Sequence, residues 1–99
     1  MAFSKLQKYI ILECYARKGR CKKNNFIRFY DGEKRAPQKA LRTKLVARSI
    51  ERLIERGFLT GIGVRTREKW FIDEAALTRS GKAAARDLRG RQQRLPFVS

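Results

Sequence analysis

The sequence predicts a small α+β domain, mostly α, with a three-helix core, a two-stranded hairpin and a C-terminal helix. Three observations carry this. Val46, Ile50, Leu53 and Ile54 recur at three- and four-residue steps, which puts them on one face of a helix and Lys44, Arg48, Arg52 and Glu55 on the others. Gly57 stands where such a helix needs a left-handed residue to stop, with Arg56 in a last turn favoured by the helix dipole. Phe58 and Leu59 then resume apolar burial without a long loop, so the helix runs directly into the first strand of a hairpin. At 99 residues with 42% hydrophobic content, the chain can fill one modest core and not two. Residues 1–90 are expected to form that domain and residues 91–99 a basic C-terminal tail.

Taken in order, Ser4 suits the N-cap of a first helix from Lys5 to about Arg17. Leu6, Tyr9, Ile10, Leu12, Cys14 and Tyr15 spread over more than one stripe of it, so it is either central to the core or partly covered by something else, a partner subunit being one candidate. Lys18-Gly19 ends it. Arg20 to Asn24 is a basic connector with room for a short strand. Asn24 or Asn25 can cap a brief second helix, Phe26 to Tyr30, although the same aromatic residues before Asp31-Gly32 also suit a strand and a hairpin turn. Asp31 to Gln38 reads as a flexible polar loop. The third helix begins either near Pro37, which suits a first helical turn, or at Thr43 as a cap.

Leu59 to Val64 is strand-like, Arg65 to Glu68 a charged tip, and Lys69 to Ile72 a return strand in which Trp70 and Ile72 alternate with Phe71. Gly61 and Gly63 weaken the first of these strands and mark a bulge or a close approach of another backbone. Thr78 is a good N-cap for a last helix, Arg79 to about Arg89, against which Gly81 in the first turn counts. The tail from Gly90 carries Arg91 and Arg94, and both disorder and docking on a partner are open to it.

This order of elements, with SIERLIERGFL closing the basic helix and ALTRSGKAAA opening the last one, resembles the winged helix-turn-helix regulators, including the MarR-like and PadR-like groups. In those proteins the third helix ends in a similar Leu-x-x-x-Gly-Leu element and a Leu-Thr-x-x-Gly stretch follows the wing. The likeness covers about residues 4 to 89. It implies a winged helix-turn-helix fold and a DNA-binding transcriptional regulator. The Asp31–Gln38 loop is longer than the pattern asks for, and long dimerisation helices are missing at either end.

Charge points the same way. Twenty-five basic and nine acidic residues leave a formal charge of +16, and the stretch Arg17 to Arg48 holds twelve basic residues against Asp31 and Glu33. A one-signed stretch of that kind favours a polyanion, most simply the nucleic-acid backbone. In a winged helix the third helix enters the major groove of duplex DNA, where Arg or Lys meets guanine O6 and N7. The candidates there are Arg42, Thr43 and Lys44 at its N-terminal end, then Arg48 and Arg52. Arg65, Thr66 and Arg67 form the wing tip, expected against the adjacent minor groove or its phosphates; Lys22, Lys23 and Lys39 read as phosphate contacts that set register. Competing explanations are plain: Glu51 and Glu55 are within helical reach of Arg52 and Arg56, Thr43 suits a cap, and Phe26, Phe29, Tyr30, Trp70 and Phe71 suit core packing better than base stacking. One such module reads few base pairs, so a homodimer on a two-fold site is the expected binding form.

Other classes have little to stand on. The chain has no histidine, its carboxylates are scattered, and Gly61-Ile62-Gly63 lacks the Lys-Ser/Thr of a phosphate loop, so no enzyme is expected. Cys14 and Cys21 are too few for a zinc finger; a disulfide between them is possible in principle, but a buried and a reduced thiol fit better, and no metal or cofactor is expected. No run approaches the roughly 20 apolar residues of a membrane span and no signal peptide heads the chain, which makes cytoplasmic residence the default. RNA is the alternative partner. Small ribosomal proteins resemble such a domain in size and charge, and fifteen arginines exceed what a typical regulator needs.

Overall fold

The computed structural model describes residues 3–31 and 37–94, apart from the side chains of Lys39, Trp70 and residues 91–94. Helix α1 spans Lys5–Ala16. Ser4 caps it as expected and does so reciprocally: its hydroxyl accepts from the Gln7 N–H while the Gln7 side chain accepts from the Ser4 N–H, a capping box. Lys18 and Gly19 end the helix in left-handed conformations. Strand β1 is Arg20–Lys22, within the expected connector.

The second helix departs from the expectation. Helix α2 runs Lys23–Ile27 and tightens into a 3-10 turn at Arg28–Tyr30, so it starts three residues early and neither asparagine caps it. Lys22 is still extended as the last residue of β1, and the helix begins where that strand stops. Asn25 instead accepts, through its main-chain carbonyl, from the Tyr9 hydroxyl at 3.3 Å. This helical backbone rules out the strand alternative, and it buries Phe26 fully and Tyr30 nearly so. The loop expected at Asp31 to Gln38 lies mostly outside the described residues.

Helix α3 is Lys39–Glu55, with Gln38 at the N-cap. The start is thus near Pro37, and Thr43 is inside the helix rather than capping it. Val46, Ile50 and Leu53 are fully buried along one face, as their spacing requires. Gly57 closes the helix with φ +83°; its N–H donates to Ile54 at 3.0 Å and that of Phe58 to Leu53 at 2.9 Å, the paired bonds of a Schellman stop.

Strands β2 (Leu59–Arg65) and β3 (Trp70–Leu77) form the hairpin, and the antiparallel sheet has the order β1-β3-β2. The return strand is longer than expected: its second half pairs with Leu59 to Ile62 of β2 on one side and with β1 on the other, Arg20 opposite Ala76 and Lys22 opposite Glu74. The expected bulge is present: register shifts between Ile62, opposite Glu74, and Gly63, opposite Ile72, leaving Asp73 as the extra residue. At Gly63 a Cβ would meet the Phe71 carbonyl.

Helix α4 spans Arg79–Arg94, capped by Thr78, whose hydroxyl accepts from the Gly81 N–H at 3.0 Å. It continues through Gly90, so the first residues of the expected tail are helical. Its Ala85 and Leu88 are buried, and Arg89 lies over the Tyr15 ring, so α4 partly covers the second apolar stripe of α1. The core gathers Ile10, Ile11 and Cys14 of α1, Phe26 of α2, the α3 face, Ala75 of β3 and Ala85 of α4. Both cysteines are free and buried.

Candidate nucleic-acid interface

The buried face of α3 decides what its other face can do. With Val46, Ile50 and Leu53 held in the core, Lys44, Arg48 and Arg52 are exposed on a stripe one helical turn apart, together spanning about 12 Å along the axis. Among the described residues none of these three cations is held in an ion pair. From Lys39 to Ile50 the helix carries no acidic residue; Glu51 follows Arg48 by three positions and Glu55 follows Arg52 by three. The field is therefore most positive over the N-terminal two-thirds, where the dipole adds to it and no side chain caps the helix. Leu41, three residues before Lys44 and seven before Arg48, joins this stripe at 48% exposure.

Two of the residues assigned to the head of α3 sit differently. Arg42 and Thr43 are half-buried, and the Arg42 guanidinium donates through Nε to the Pro37 carbonyl at 2.5 Å. Arg42 thus ties the chain entering α3 to the first turn. Lys39 begins the helix.

Lys22 and Lys23 lie elsewhere, at the junction of β1 and α2. With Asn24, Ile62, Asp73 and Glu74 they line an open groove. Two carboxylates share that groove, and Glu74 also pairs with Arg20 at 3.7 Å, so the positive field there is diluted. Register sets the distance to the wing: Lys22 faces Glu74, Glu74 faces Ile62, and Arg65 is three residues further along β2, roughly 10 Å.

At the wing tip Arg65 and Arg67 are exposed. Thr66 is committed to the turn itself, its hydroxyl donating to the Lys69 carbonyl at 2.9 Å and accepting from the Lys69 N–H at 3.1 Å. It shapes the tip more than it offers a contact. Beside the tip, the Lys69 ammonium lies 5.2 Å from the centre of the Phe71 ring. Phe71 is 51% exposed and its cross-strand neighbour Val64 63%, so core packing, expected for all five aromatics, does not hold for Phe71. Phe29 is half-buried, against Tyr9 and Tyr30. Arg56 lies over the rings of Phe3 and Phe58, at 4.7 and 5.2 Å.

Burial pushes the Cys14 thiol up to about 12 and raises that of Cys21 as well, so neither is a nucleophile poised at neutral pH. Among the described residues no group of three or more Cys, Asp or Glu side chains converges as a metal site would, and no helix is long and apolar enough to cross a membrane.

No protein-family model and no curated protein matches the chain. Among solved structures it is similar to the adhesin competence repressor of Streptococcus pyogenes, at a TM-score of 0.62 and 16% identity over 97% of this chain. The chain spans 62% of that protein's length. The three-helix core, the short first strand pairing into the hairpin, and this likeness together make the fold a winged helix-turn-helix.

Proposed function

We propose that the protein is a duplex-DNA-binding transcriptional regulator, with α3 in the major groove and the hairpin against the neighbouring backbone or minor groove. The observation that carries this is the exposed cationic stripe of Lys44 and Arg48 on a helix whose opposite face is locked in the core. Such a helix fits the major groove, and its cations match guanine edges and phosphates. Arg52 extends the stripe; Arg42, Thr43 and Lys39 guard its head; Arg65 and Arg67 reach the next groove, and Lys22 and Lys23 hold phosphates at the wing base. The similar streptococcal protein is named a repressor, which supports a regulatory role. No catalysis is part of this reading. The protein acts in the cytoplasm, as a homodimer whose two α3 helices meet successive major grooves.

The test is a salt titration of binding to random duplex DNA, single-stranded DNA and double-stranded RNA in parallel. Log affinity falls linearly with log salt for the polyanion that is neutralised. Duplex DNA should bind tightest, with a selected sequence at least ~10³-fold above random. Tighter binding to RNA would sink the regulator reading and favour the ribosome-associated alternative, for which the charge of +16 is the supporting observation.

A further inference from the structure

We infer that the outer face of the wing is a second, apolar element of the DNA contact, formed by Phe71 and Val64 and steered by Lys69. This rests on the DNA-binding reading and extends it to residues outside the cationic set. Phe71 and Val64 are paired across β2 and β3, so their side chains leave the hairpin on the same face. Ile72 is 4% exposed and faces the core, which turns its neighbour Phe71 outward. Phe71 and Val64 thus stand side by side, half or more exposed, as a small apolar patch on the wing.

The charge around the patch selects its occupant. Arg65, Arg67 and Lys69 stand against Glu68 alone at the tip, and the Lys69 ammonium already lies over the ring. A partner that is anionic at its rim and apolar within meets both demands. The minor groove of duplex DNA is such a surface, with phosphates at its edges and sugar and base edges between them, and proteins that grip it bring apolar side chains beside cations. Phe71 and Val64 pack against the sugar and base edges, while Lys69, Arg65 and Arg67 lie along the phosphates. A second copy of this chain fits less well, because it would bring three like charges to the same seam.

The experiment separates the two kinds of contact by their salt dependence, using the full chain and a random duplex. An apolar contact releases no counterions, whereas each phosphate contact adds ~0.9 to the slope of log affinity against log salt. Phe71→Ser should weaken binding about tenfold at every salt concentration with an unchanged slope, the effect of returning about half a phenyl ring to water. Arg67→Ala should lower the slope by ~0.9. Phe71→Leu should retain most of the affinity. Phe71 lies outside the core, and a thermal melt of each variant checks that the fold is kept. Wild-type affinity in Phe71→Ser, a change of slope in that variant, or an effect on sedimentation alone would each overturn the apolar contact and leave the α3 reading in place. Absence of duplex binding by the wild-type chain would overturn both.

Discussion

The hydroxyl of Thr78 donates to the main-chain carbonyl of Gly57 at 2.6 Å, tying the end of α3 to the start of α4. The same oxygen accepts from the Gly81 N–H, and the Thr78 N–H donates to the Phe58 carbonyl at 3.1 Å. One residue therefore caps α4 and fixes the chain where α3 turns into the hairpin, which sets how helix and wing sit together. Thr78→Ala should cost about 1–2 kcal/mol and Thr78→Ser much less, measured by urea denaturation. Equal losses in the two variants would show that the hydroxyl is not what matters.

Two glycines of α4 should answer oppositely to the same substitution. At Gly81 a Cβ would run into the Phe58 carbonyl, while at Gly90 it would meet nothing within 4 Å. Helix propensity alone favours Gly→Ala by roughly 1 kcal/mol at both sites. Gly90→Ala should realise most of that gain, whereas Gly81→Ala should destabilise by more than about 1 kcal/mol, since α4 and the Phe58 turn must move apart. Thermal melts of the pair decide it, and a stabilised Gly81→Ala would mean that this packing is looser than described.

Arg48 lies mid-helix on the exposed stripe with no ion pair among the described residues. Arg48→Glu should leave the melting temperature within a degree or two, because it removes no core contact. Its affinity for duplex DNA should fall roughly a hundredfold or more, a contact of ~1–3 kcal/mol being replaced by repulsion. Unaltered binding would remove α3 from the interface.

The buried thiols make stability fall at high pH. Burial, with smaller contributions from Cys21 and Glu13, pushes Cys14 from an ordinary 9.0 up to about 12, and Cys21 moves in the same direction. A group whose value is raised on folding is neutral in the folded chain while the unfolded chain ionises. Its contribution is complete below pH 9 and is lost as pH climbs from there toward 12. Urea midpoints should drop between about pH 8 and about pH 10.5, at up to ~1.4 kcal/mol per unit for Cys14 alone. Cys14→Ala should be less stable at the lower pH and flatter in its response; parallel curves would refute the assignment.

What the sequence made legible was local. Ser4 before an apolar run, Gly57 after one and Thr78 before the last helix each act on neighbours three or four residues away, and each stands where its chemistry requires. The extent of β3 was not legible, because Asp73 and Glu74 interrupt its apolar pattern and its second half is held between β2 and Arg20 to Lys22, the latter a pairing across more than fifty positions. The same long-range pairing holds Lys22 extended and so starts α2 early. In the candidate interface, the spacing of Lys44, Arg48 and Arg52 marked the exposed face of α3. Composition could not say that Arg42 bonds to Pro37, that Thr66 closes its own turn, or that carboxylates stand beside Lys22 and Lys23. Those depend on which side chains the fold brings into reach.

The bulge at Asp73 has a bearing on how this wing could have arisen. Among the described side chains of β3 the buried positions are Ile72, Ala75 and Leu77, a step of three and then of two. Removing Asp73 would leave a plain alternation with Ile72 still inward and Phe71 still outward. The bulge is therefore how the strand absorbs one added residue: paired regularly, Asp73 would have turned Phe71 inward and Ile72 outward.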